Sequence, residues 1–258
     1  MYGICNLSIV PIRRAPSHSS EMVSQLLFGD FFTVIETEND WYQIETYLDS
    51  YSGYVHKHQV EELSMAEFAK LQSQKQYFAG EFIDYISSTS NDLVAIPIGS
   101  LLPCYDHQKL FIKDDEYSYE GKVYHEKLAK ADLVQIAYLY LNTPYLWGGK
   151  TPFGIDCSGF TQMVYRLCGY HLFRDAKSQA SQGEVLSFIE ESKPGDLAFF
   201  DDEEGNINHV GIVLNNYQII HAFGKVRIDT LDHSGIFNNK LQKHTHKLRI
   251  IKQIIPNE

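Results

Sequence analysis

TPYLWGGKTPFGIDCSGFTQMVYRLCG, residues 143–169, joins a turn-rich entry to a cysteine and an abruptly starting helix. Pro144, the pair Gly148-Gly149, Pro152 and Gly154 exclude regular structure upstream. Beyond them Phe160, Val164, Leu167 and Cys168 recur at i, i+4, i+7 and i+8, one stripe of a helix, and Gly169 supplies a stop. Asp156 is thereby placed to cap a helix whose first turn holds Cys157. Backbone N–H groups and the positive end of the dipole favour a thiolate there, the reactive form of cysteine. A cysteine in this position is as readily a small packing residue, so its partners decide.

Downstream, residues 194–200 (PGDLAFF) read as a turn feeding a strand. HVGIVL, residues 209–214, is a second strand opening on His209, and residues 218–223 form a third carrying His221. If the last two pair as a hairpin through Asn215-Asn216, the histidines come to neighbouring positions near one sheet end. One histidine at a strand end is usually structural. Two of them, with a helix-capped cysteine, match a nucleophile, a base and an orienting residue.

The remaining composition narrows the class. At 258 residues and 44% hydrophobic content the chain can bury two or three small cores. A formal charge of -11 excludes a nucleic-acid binder, which needs a basic surface to displace counterions. The N-terminus lacks the pattern of a secretory leader, and no apolar run approaches membrane-spanning length, so a cytoplasmic monomer without a membrane partner is expected. Cys5, Cys104, Cys157 and Cys168 have no disulfide-like spacing, which suits a reducing compartment; Cys5, Cys104 and Cys168 read as core. No cofactor and no metal are expected: His56-x-His58 and His244-x-His246 have no cysteine or carboxylate at ligand spacing and read as exposed polar histidines.

DCSGF, PGDLAFF, HVGIVL and IIHAF, in that order, resemble the NlpC/P60 cysteine peptidases, which cut bacterial cell-wall peptides. The resemblance implies an α+β, papain-like domain over residues 126–258, with helices packed on an antiparallel sheet. In it Cys157 is the nucleophile, His209 the base and His221 the residue that orients the base. Tyr145 takes a positioning or oxyanion role. Residues 1–60, with strand-like runs LSIVPIR, QLLFGD, WYQIE and GYVH, resemble a bacterial SH3 domain. Residues 61–77 read as a linking helix, and residues 78–125 as a second SH3-like barrel or a structural spacer.

SH3-like domains ahead of such a peptidase resemble the γ-D-glutamyl-L-diamino acid endopeptidases of murein peptide recycling. These cut between γ-D-Glu and meso-diaminopimelate or L-Lys in peptides with a free N-terminal L-Ala. By that resemblance Asp175, in FRDAKSQ, binds the ammonium, Ser158 contacts the peptide, and Asp30 and Tyr51 of the first barrel face the substrate N-terminus. Asp30 and Tyr51 read equally as solvated loop residues. Ala176 departs from the serine frequent at that position, which removes one substrate hydrogen bond. Two other readings stay open: an amidase or endopeptidase acting on intact peptidoglycan, and a wall-binding module whose peptidase domain is inactive.

Overall fold

Alternating apolar positions such as Val10 and Ile12 make the N-terminal runs half-buried strands. The computed structural model, which describes residues 1–90 and 92–256, joins seven of them in one antiparallel sheet. Their order is Met22–Leu27, Ile9–Arg13, Ser52–His56, Trp41–Thr46, Phe31–Glu38, Tyr2–Ile4 and Glu61–Leu63. Cys5, Val10, Ile12, Leu26, Phe32 and Ile44 meet in its core. The expected linking helix is shorter than read: Glu61–Leu63 pairs with Tyr2–Ile4 as a strand, because the barrel edge offers it backbone partners. Helix α1 (Met65–Ser73) then begins at a capping box, in which Ser64 Oγ accepts the Glu67 N–H and Glu67 returns the bond to the Ser64 N–H.

Beyond α1 the strands Leu93–Pro97, Ile83–Ser88, Asp115–Ser118 and Lys109–Ile112 form a four-stranded sheet, and Phe78–Ala79 pairs with Val123–Tyr124. Both sheets belong to one unit, residues 1–126 together with 147–152. Trp147 Nε1 donates to Glu21 at 2.6 Å, and the Lys150 N–H donates to Gln25 at 2.7 Å. Gly148, at φ +76°, is required there, since a Cβ would lie 2.5 Å from the Met22 carbonyl oxygen.

The second unit is residues 127–146 with the chain from 153 onward. Helix α2 (Lys130–Leu139) turns Leu133, Ile136 and Ala137 inward, and Tyr140 meets Phe160 of α3 (Cys157–Leu167) edge-on. The apolar stripe of α3 suggests a helix with one solvated face. Every residue of α3 is instead buried, and two of its polar side chains bond inside the fold: Thr161 Oγ1 donates to Gln179 and Gln162 Nε2 to the Leu172 carbonyl.

The helix lies on strands Ile207–Leu214 and Gln218–Phe223. They belong to a sheet ordered Glu184–Leu186, Lys243–Gln253, Leu197–Asp201, Ile207–Leu214, Gln218–Phe223, Lys225–Asp232 and Gly235–Asn238. Gly235–Asn238, a strand the sequence reading does not contain, also pairs with Lys243–Gln253 and closes six strands into a barrel. Gly235 allows that closure: at φ +138° a Cβ would stand 1.8 Å from the His246 carbonyl oxygen. Among the described residues no helix is long and apolar enough to cross a membrane.

Candidate active site

Asp156 caps α3 by accepting the Gly159 N–H at 2.7 Å. It is itself clamped by Arg174, whose two terminal nitrogens reach the two carboxylate oxygens at 2.9 and 2.6 Å. Arg174 is almost fully buried and also donates to Ser158 Oγ at 2.9 Å. One guanidinium therefore holds the cap and the residue after the nucleophile. Cys157, next to both, is only 5% exposed.

Its Sγ lies 4.0 Å from the Asn208 carbonyl oxygen, and the Val210 N–H bonds to the sulfur, so the thiol stands over the backbone on either side of His209. Burial pushes its pKa up to about 12; Asp156 raises it further, while the Val210 N–H, Arg174 and the Ser158 N–H oppose. Burial and the capping carboxylate thus oppose the thiolate that the helix start alone would favour. The helix N-terminus does favour charge, but the site is dry and the capping carboxylate offsets the dipole.

His209 and His221 come together as the hairpin reading requires. Gly211 pairs with His221, which places His209 diagonally across, and His209 Nε2 lies 2.8 Å from His221 Nδ1. His221 Nε2 in turn lies 3.1 Å from Asp229 Oδ2. Burial raises the Asp229 pKa, but the bonds from His221 and Arg227 outweigh it and hold the carboxyl below its usual range. Arg227 reaches Asp229 through Nε at 2.7 Å, and Asn238 Nδ2 donates at 3.3 Å.

The tautomers follow in sequence. An ionised carboxylate only accepts, so His221 carries its proton on Nε2. His221 is buried, which keeps it neutral, and its Nδ1 accepts from the Nε2–H of His209. His209, held well below its ordinary pKa by burial and by His221 and His246, is neutral too, which leaves its Nδ1 as the acceptor nitrogen.

Asp229, Arg227 and Asn238 are absent from the sequence reading. Their signal is slight: Arg227 and Asp229 stand two apart on one strand, hence on one face, in an alternating run next to the His221 strand. His246 corrects the reading of His244-x-His246 as two exposed polar histidines. His244 is exposed and bonds to Asp232, but the ring of His246 stacks on His209 at 4.1 Å and meets Phe223 edge-on at 4.9 Å. Closure of the barrel, through the pairing of His246 with Ile236, carries it there.

Tyr145 is bound to Gly224 through its N–H and bridges to Ile155, two residues before the nucleophile. Burial, then the charges of Cys157 and Asp156, raise its hydroxyl pKa. Asp175 is exposed and follows Arg174 directly, at the start of the short helix α4 (Ala176–Gln179). The Ser158 hydroxyl faces Arg174 and Asp156 inside the fold. Asp30 and Tyr51 belong to the first unit. Asp30 is buried and accepts the Leu27 N–H at 3.0 Å, and the Tyr51 N–H donates to Thr46 Oγ1 at 2.9 Å.

A buried cysteine at a helix start, lying over the strand of a histidine whose tautomer is set from behind, fits acyl transfer. Comparison with known proteins agrees with that chemistry. Residues 142–248 match the NlpC/P60 family, and residues 12–60 match the bacterial dipeptidyl-peptidase SH3 domain. The chain is 28% identical to dipeptidyl-peptidase 6 of Lysinibacillus sphaericus, over 84% of this chain and 87% of that protein. It is 39% identical to the γ-D-glutamyl-L-lysine dipeptidyl-peptidase of Bacillus subtilis, over 38% of this chain and only 33% of the relative. A crystal structure of an NlpC/P60 family protein from Bacillus cereus superposes with a TM-score of 0.83, covering 99% of this chain and 100% of that one at 19% identity. The chain therefore carries an NlpC/P60 domain preceded by a bacterial SH3 domain, which supports a cysteine-type peptidase.

Proposed function

We propose that the protein hydrolyses the bond between γ-D-Glu and a diamino acid, meso-diaminopimelate or L-Lys, in murein peptides with a free N-terminal L-Ala, as a cytoplasmic step of peptide recycling. In this reading the Cys157 proton passes to His209 Nδ1 as the sulfur attacks the amide carbonyl. The imidazolium then protonates the leaving amine, and water, with His209 as base, hydrolyses the thioester. Thiolate and imidazolium are each disfavoured singly in the dry site; formed together they stabilise each other. The Cys157 N–H, in the first turn of α3 and without an intrahelical acceptor, is available to the developing oxyanion.

The observation that carries the substrate assignment is the position of Asp175, an exposed residue directly after Arg174, whose guanidinium holds the Asp156 cap of the nucleophile helix. A carboxylate at that position suits the ammonium of a dipeptidyl substrate, the class named for the two relatives. Asp30 and Tyr51, and a second SH3-like barrel at residues 78–125, enter this proposal through the family resemblance.

A mass-resolved assay on L-Ala-γ-D-Glu-meso-diaminopimelate and its L-Lys counterpart, beside N-acetylated peptides and intact wall, tests it. Release of L-Ala-D-Glu from the free-amine peptides alone supports the proposal, and Asp175→Asn should then lower kcat/KM by about 10- to 100-fold, as for a lost charged hydrogen bond. Equal cleavage of the acetylated peptides, or of intact wall, would overturn it in favour of wall remodelling.

A further inference from the structure

We propose that His209, His221 and His246 form an inhibitory site for a divalent transition-metal ion of the zinc class. One ring nitrogen from each of the three lies within 4.8 Å of the others. Tetrahedral zinc with imidazole bonds of about 2.0–2.1 Å needs nitrogens roughly 3.3 Å apart, so the His209–His221 pair, at 2.8 Å, opens by about 0.5 Å and His246 closes by about 1.5 Å or less. His246 is the partly exposed member and can supply that movement and the route inward. Three imidazoles without an oxygen donor select zinc, copper or nickel over magnesium and calcium.

The hydrogen bonds behind the site fit a metal as well as they fit a base. Asp229 holds the Nε2–H of His221, which leaves Nδ1 pointing at His209 as a lone pair. That is the carboxylate–histidine–metal arrangement, in which the outer carboxylate orients the ligand. An entering ion takes the place of the proton shared by His209 and His221. His209 keeps one proton, but it moves from Nε2 to Nδ1 so that Nε2 can bind the metal. Nδ1 is then a donor and no longer accepts the Cys157 proton. The metal thus stops the reaction by exchanging the tautomer of the base, without touching the thiol.

Binding is measured by calorimetry with Zn²⁺, and by the visible absorption of Co²⁺, on Cys157→Ala protein, which removes the competing thiol and makes the result independent of substrate. One equivalent of bound metal is expected. Asp229→Asn should weaken it by about 10- to 100-fold, the usual cost of losing an outer-shell partner. His246→Gln, and His246→Phe which keeps a ring against His209, should each weaken it by at least ~10-fold. His244→Gln should leave it unchanged. In protein with Cys157 intact, zinc should inhibit reversibly on chelation while Mg²⁺ does not, and the His246 variants should resist zinc, each judged against its own metal-free rate. Loss of binding in Cys157→Ala would assign the ion to the thiol and overturn the site, as would unchanged binding in both His246 variants.

Discussion

Cys5 and Cys157 are both buried thiols, one in each unit, and burial raises the pKa of both. Cys5 sits in the apolar cluster of the first barrel, and its thiol donates to the Leu7 carbonyl at 3.2 Å. Cys157 sits at a helix start clamped by Arg174, over the strand of His209. The acidity of the resting thiol does not separate the two. What separates them is the strand of His209 beside Cys157, whose imidazole is oriented by a chain of bonds ending at Asp229.

Four substitutions test that difference. Cys157→Ala should reduce peptide cleavage to background while circular dichroism and the melting curve stay native-like; residual cleavage well above background would move the nucleophile elsewhere. Asp229→Asn should lower kcat by about 10²–10⁴, the range of general acid–base catalysis, because an amide can present its N–H to His221 and reverse the tautomers along the chain. A change confined to KM would sever Asp229 from the relay. Arg174→Met leaves Asp156 buried without its partner, and chemical denaturation should show a loss of about 3–5 kcal/mol. An unaltered midpoint would mean that the clamp does not secure the helix. Cys5→Ala should cost only about 1 kcal/mol and leave kcat/KM as it is; a kinetic defect there would erase the contrast between the two thiols.

The parts legible in the sequence are those written in contiguous motifs. DCSGF announces a capped helix with its cysteine, and HVGIVL and IIHAF announce strands whose pairing through Asn215-Asn216 brings His209 to His221. The rest depends on closure. Gly235–Asn238 is too short and too mixed to read as a strand, yet its pairing with Lys225–Asp232 brings Asn238 to Asp229, and its pairing with Lys243–Gln253 brings His246 to His209. Long-range pairing of this kind leaves no periodic trace. The upward shift of the Cys157 pKa is hidden as well, because it depends on burial and on Asp156 rather than on the helix start alone.

The relay is tested most directly by the ¹⁵N chemical shifts of the imidazole rings in histidine-labelled protein at neutral pH. The account predicts that His209 and His221 are both neutral and both protonated on Nε2, and that Asp229→Asn moves the proton of His209 to Nδ1. An Nδ1-protonated or imidazolium His209 in the native protein would contradict it.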